Sequence, residues 1–161
     1  MNAEFEAWYP VAWPRLLRQL VLIADTPEDA EEALAEAFAR ALSRWSRVRG
    51  LDNRDAWVRR VALNKLTDGY RARLRLLRHA PDLATHEDRP GPTVTTVDVT
   101  RALGALSPSQ RQVLVLHHLG DQPLAQIAAD LDLPLSTVKS HLQRGRSRMR
   151  ALLPEYTEAR P

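Results

Sequence analysis

Between His79 and Val97 the chain loses all apolar periodicity, and Pro81, Pro90, Gly91 and Pro92 fall among Thr, Asp and His. A segment of this composition is a linker rather than part of a core. On either side of it, apolar residues recur at i, i+3 and i+4, and no strand-like alternation is long enough to build a sheet. The predicted fold is therefore all-α. Two small helical domains, 1–78 and 98–161, are joined by a flexible linker over 79–97. At about 3.3 Å per residue the linker spans at most about 60 Å, enough for one chain to hold two separated sites.

In the first half, Thr26-Pro27-Glu28-Asp29 supplies a capping hydroxyl, a proline at the first helical position and an acid at the third. A helix is predicted from there through Trp45, with Ala30, Ala33, Leu34, Ala37, Phe38, Ala41, Leu42 and Trp45 as its apolar stripe. Gly50-Leu51-Asp52-Asn53 breaks the chain. The next helix turns Trp57, Val58, Val61, Ala62, Leu66, Tyr70, Leu74 and Leu77 inward and Arg60, Asn64, Asp68, Arg71, Arg75 and Arg78 outward. A third wall comes from Leu16, Leu17, Leu20 and Ile23, on a helix starting at Pro14 behind an irregular lead-in from Phe5 to Pro10.

In the second half, Ser107-Pro108-Ser109-Gln110 opens a helix that carries Val113, Leu114, Leu116 and Leu119 and stops at Gly120. Leu124, Ile127, Ala128 and Leu131 make a helix of two turns, Asp132-Leu133-Pro134 turns the chain, and Ser136 caps a longer helix with Val138, Leu142, Met149 and Leu152 inward. That is helix-turn-helix spacing. Small Ala128 lets the two helices cross closely, and Leu133 plugs the turn. Ser136, Thr137, Lys139, Ser140, Gln143, Arg144, Arg146 and Arg148 remain outward or flanking, and these are the side chains that bond phosphates and base edges in a major groove.

Charge supports a polyanionic partner. The totals, 23 basic against 20 acidic residues, conceal strong segregation. Glu28 to Glu36 holds five acids and no base, Arg40 to Arg78 twelve bases against three acids, and Ser136 to Arg150 five bases and no acid. Several chemistries are excluded. There is no cysteine for a disulfide framework or thiol chemistry. No carboxylate completes a metal set around His117-His118, which are read as helix-end residues whose rings point apart. A Ser136–His141–Asp132 triad fails because Ser136 is used as a cap and no oxyanion loop accompanies it. No catalytic, cofactor or metal site is predicted. Trp8, Trp13, Trp45 and Trp57 are read as core. The longest apolar run, Leu20 to Ala24, is too short to cross a bilayer. A cytoplasmic protein without membrane insertion is expected.

These residues resemble the extracytoplasmic-function sigma factors of the sigma-70 family, above all their short actinobacterial members. Asp29-Ala30-Glu31-Glu32 with Glu36-Ala37-Phe38 is similar to the family's region 2 helix that docks on the clamp of the polymerase beta-prime subunit. Ala56-Trp57-Val58-Arg59-Arg60-Val61-Ala62 with Asn64 is similar to the helix that recognises the minus-ten promoter element. Leu106-Ser107-Pro108, Leu124 to Ala128 and Ser136 to Leu142 resemble region 4, which reads the minus-thirty-five element. This chain has Glu32 where the family commonly has Asp, Ala35 where it has Gln, and Asp132 where it has glycine.

The resemblance implies that Asp29, Glu32 and Glu36 contact polymerase, and that Arg60, Asn64, Lys65, Asp68 and Arg71 lie along the upstream promoter strand. It places a flipped non-template base on the Gly50 to Arg54 loop, and gives the minus-thirty-five element to Ser136, Thr137, Lys139, Ser140, Gln143, Arg144, Arg146 and Arg148. Core polymerase through its beta-prime clamp and beta subunit, promoter DNA and an anti-sigma factor are the implied partners. The competing readings are a polymerase-independent helix-turn-helix regulator and a helical enzyme with an appended DNA-binding domain.

Overall fold

The structure, a computed structural model, describes residues 2–79 and 94–153. These form two compact units, and among the described residues every regular element is a helix. Residues 80–93, most of the segment read as linker, lie outside the described residues. At its borders, His79 is the last residue of a helix, and a helix the periodicity did not announce starts at Val94.

The first unit packs α1 (Ala3–Ile23), α2 (Pro27–Ser43), α3 (Trp45–Val48) and α4 (Arg54–His79). The sequence placed the start of α1 at Pro14, whereas the helix is continuous from an Asn2 cap whose Oδ1 accepts from the Glu4 amide at 3.0 Å. Pro10 and Pro14 sit four residues apart on its exposed side. There the carbonyls they leave without an N–H partner, those of Glu6 and Pro10, belong to solvent-exposed residues, so both rings are tolerated. Phe5, Ala12, Leu16, Leu20 and Ile23 face the core.

Thr26 Oγ1 accepts from the Asp29 amide at 3.1 Å, as the capping motif requires. Alanines at 30, 33, 37 and 41 give α2 a thin buried face against which its neighbours approach closely. The helix stops at Ser43 rather than running through Trp45. The chain then turns at Arg44 into α3, which leaves Leu42 exposed and drives Trp45 inward.

Six rings meet there. Trp8 stacks on Trp45 at 5.5 Å, Phe5 meets Trp45 edge-on at 5.2 Å, and Tyr9 and Trp13 close on Phe38 at 4.9 and 5.7 Å. Trp8 Nε1 donates to Asp55 Oδ1 at 3.0 Å, and Asp55 also pairs with Arg15, so the ring cluster is tied to the first turn of α4. Asn53 Oδ1 caps α4 by accepting from the Ala56 amide at 2.8 Å.

The second unit holds α5 (Val94–Gly104), α6 (Pro108–His118), α7 (Leu124–Leu131) and α8 (Leu135–Leu152). Ser107 Oγ accepts from the Gln110 amide at 3.3 Å and starts α6 as predicted. Gly120 does not supply the left-handed residue after α6; Asp121 does, with φ 48°. Between α7 and α8, Asp132 takes φ 53° and ψ 48°, and the Leu133 N–H closes on the Ala128 carbonyl at 3.0 Å. An aspartate here supports the left-handed turn the sequence implied.

Val138 and Leu142 are buried as predicted, but Leu152 is exposed. Gly145 completes the inward row instead. A Cβ there would lie 2.8 Å from Leu114 Cδ1, so the contact of α8 with α6 is set by the missing side chain.

Candidate nucleic-acid interfaces

Along α8, four strips follow from about 100° of rotation per residue. Val138, Leu142 and Gly145 are buried, with Met149 partly so. Opposite them run Ser136, Ser140, Gln143 and Ser147, a row of short polar side chains. Lys139, Arg146 and Arg150 form a ridge on one side of that row, and Arg144 and Arg148 form one on the other. No acid interrupts the helix. Leu124 and Leu142 floor an open cleft of about 240 Å³ beneath the first ridge, with Lys139, Gln143, Arg146, Ser147 and Arg150 as its walls.

Two expectations at this site are corrected. Ser136 does not cap α8: Pro134 is the cap residue and no side chain bonds the first turn. The chain enters from Pro134 and places Leu135 as the first helical residue, so the Ser136 hydroxyl sits one turn position too late to cap. It stands at the exposed start of the helix, where uncapped N–H groups suit an anion. His117 and His118 do not point apart, because their rings meet edge-on at 5.0 Å. Arg146 Nε donates to His118 Nε2 at 3.3 Å. Burial first, and then the charges of Arg146 and His117, holds the His118 ring below its ordinary value, so it stays neutral and able to accept.

On α4 the buried residues are Ala56, Val58, Arg59, Ala62 and Leu63. The opposite face carries exposed Arg60, Asn64, Asp68, Arg71, Arg75 and Arg78, as read from the sequence. Trp57, read as core from the sequence, is half-buried and falls on the helical spacing of that face. Trp57 lies seven residues before Asn64, eleven before Asp68 and eighteen before Arg75, and it joins none of the ring contacts of the aromatic cluster. That spacing was the signal available in the sequence.

Lys65 is turned aside from this face. Its Nζ lies 2.8 Å from Glu32 Oε1 and also bonds Glu36. In the loop before α4, Asn53 is spent on the cap, while Arg54 pairs with Glu4 at 2.6 Å and covers the Trp45 ring at 5.3 Å.

The three acids assigned to polymerase lie along the seam between α2 and α4. Asp29 meets Arg73 at 3.3 Å, and Asp25 meets the same guanidinium at 3.3 Å. Glu36 bonds both Lys65 and Arg40. The Lys65 hydrogen bond, with Arg40 assisting against a desolvation cost, lowers the Glu36 carboxyl, and Glu32 and Glu36 together raise the Lys65 ammonium. Glu32 keeps 71% of its side chain exposed, and Glu28, Glu31, Ala35 and Ala39 are exposed beside it.

Among the described residues no group of His, Asp or Glu is arranged to hold a metal ion, and no helix is long and apolar enough to cross a membrane.

A left-handed turn between a short helix and a longer acid-free one, with a second basic helix in a separate unit, is the architecture of a sigma-70-type transcription initiation factor, and residues 96–149 match the family described as Sigma-70, region 4. Over 152 residues the chain is 34% identical to the RNA polymerase sigma-E factor of Streptomyces coelicolor, covering 91% of this chain and 84% of that protein. It is 31% identical over 141 residues to the ECF RNA polymerase sigma factor SigM of Mycobacterium tuberculosis, covering 86% and 71%. The fold is that of the sigma factor RpoE of Bartonella quintana, solved in complex with the anti-sigma factor NepR. The TM-score is 0.85 at 20% identity, over 99% of this chain and 100% of that one. The chain belongs to the extracytoplasmic-function sigma factors of RNA polymerase. As such it acts with core polymerase at promoter DNA, and the polymerase-independent regulator is not favoured.

Proposed function

We propose that the first unit (1–78) docks on core polymerase and engages the minus-ten element, that the second (98–161) reads the minus-thirty-five element, and that 79–97 is the tether between them. The observation that carries this reading is the acid-free α8 behind the turn at Asp132, with short polar side chains between two cationic ridges. Ser136, Ser140 and Gln143 suit close approach to base edges. Thr137, Lys139, Arg146 and Arg148 suit the phosphates on either side, and Arg144 at the edge of the row reaches a base. Arg60, Asn64, Asp68 and Arg71 present the minus-ten surface, and Glu32, with Asp29 and Glu36 behind it, the polymerase surface.

A protein that covers α8 or the outer face of α4 would silence the factor, so an anti-sigma factor is a fitting partner, as for the Bartonella protein. The chain works inside the cell, beside its polymerase, and needs no catalytic group of its own. Run-off transcription with reconstituted holoenzyme tests the reading. A discrete transcript that disappears when either promoter element is scrambled supports it. A transcript indifferent to the upstream element removes the role given to α8, and no transcript above core polymerase alone removes the whole.

A further inference from the structure

Lys65 follows Asn64 directly, and the resemblance places both beside the promoter. One residue along a helix is about 100° of turn, which carries Lys65 off the outward face and against α2. Its ammonium sits between two carboxylates, 2.8 Å from Glu32 and bonded to Glu36, with only 34% of the side chain exposed. A phosphate approaching that ammonium would meet both carboxylates first, so the position is unfavourable for a nucleic-acid contact.

Eight residues on, Arg73 repeats the arrangement, 3.3 Å from both Asp25 and Asp29. Two pegs about 12 Å apart along the axis of α4 therefore fix its roll against α2. Roll is the coordinate that matters to DNA, because turning α4 about its axis swings Asn64, Asp68 and Arg71 together.

We propose that Lys65 is a positioning residue for promoter opening: it acts through Glu32 and Glu36 to hold the minus-ten face of α4 in register, without touching DNA. The carboxylates of α2 then serve the DNA-facing helix as well as the polymerase-facing surface. The inference rests on the reading of α4 as the minus-ten helix.

A double-mutant cycle in holoenzyme tests it, using full-length Lys65→Gln, the pair Glu32→Gln with Glu36→Gln, and the triple variant. Core affinity is titrated for each, and opening is then measured at saturating factor with 2-aminopurine in the minus-ten element. Lys65→Gln is expected to lower opening about three- to tenfold, and Lys65→Arg to restore it. The paired glutamines should lower opening by a similar factor even after core is saturated, and the triple variant should be no worse. The slope of promoter affinity against salt should not change in Lys65→Gln.

A slope reduced by about one, or an undiminished loss when Lys65→Gln is added to the paired glutamines, makes Lys65 a direct DNA ligand and overturns the proposal. Unaltered opening in Lys65→Gln overturns it as well. Asn64→Ala separates the two levels. If Asn64→Ala impairs opening and Lys65→Gln does not, only the positioning role falls. If Asn64→Ala has no effect, the reading of α4 falls with it.

Discussion

Asp132 holds φ 53° at the turn before α8, a conformation that costs a residue with a Cβ about 1–2 kcal/mol. Asp132→Gly should stabilise the full chain by about 1 kcal/mol, seen as a higher urea midpoint, because glycine adopts the same turn without the steric term. The two helical glycines should respond in opposite directions. At Gly69 an added Cβ meets nothing within 4 Å, so Gly69→Ala should stabilise by about 0.5–1 kcal/mol. At Gly145 the Cβ would reach 2.8 Å from Leu114, and Gly145→Ala should destabilise by about 1–3 kcal/mol through overpacking. Equilibrium urea denaturation of the two variants side by side checks both signs. The Asp132 turn was legible from sequence because its cause is local. Gly145 was not, because its cause is a side chain thirty-one positions away on α6.

Among the elements, α2 and α4 are joined by an ionic seam whose pH response has a definite sign. The Glu36 carboxyl is lowered from 4.5, so its contribution is present above that value and is lost as pH falls through the lower folded value. The Lys65 ammonium is raised from 10.5, so its contribution is present below that value and disappears as pH rises through the higher folded value. Both are in place at neutral pH. The gap in urea midpoint between the wild-type chain and Glu36→Gln should therefore be widest near neutral pH and close on acidification through the lowered folded value. Caps at Thr26 and Ser107, together with the short α7, could be read in advance, since a cap and its helix are contiguous. Periodicity gave the acids of α2 and the bases of α4 but not the direction each faces in the bundle. For that reason the pairing of Lys65 with Glu32 and Glu36, and that of Asp29 with Arg73, could not be read from it. The two prolines of α1 misled in the opposite way: their positions forbid a helix only where the freed carbonyls lack water.

For the molecule as a whole, the proposed reading, in which cations of both units meet phosphates, predicts that promoter affinity falls linearly with the logarithm of salt. Arg150→Gln, on the ridge beside the α8 cleft, should reduce that slope by about one for every promoter sequence tested. Gln143→Ala should leave the slope unchanged and alter the preference among minus-thirty-five variants, at about 1–3 kcal/mol per base read. Filter-binding or fluorescence titration of holoenzyme over a salt series distinguishes the two classes. The division into two helical units was visible at this scale because the proline-bearing gap interrupts both period and composition.

All four tryptophans of the chain, Trp8, Trp13, Trp45 and Trp57, belong to the first unit. Three meet in one ring cluster, with Trp45 buried and Trp8 and Trp13 half-buried, whereas half-buried Trp57 takes no part in it and shares the helical spacing of the arginine face of α4. On the reading of α4 as the minus-ten helix, quenching of the intrinsic emission by promoter DNA should fall on Trp57 and be lost in Trp57→Phe, giving an unlabelled optical gauge of promoter engagement.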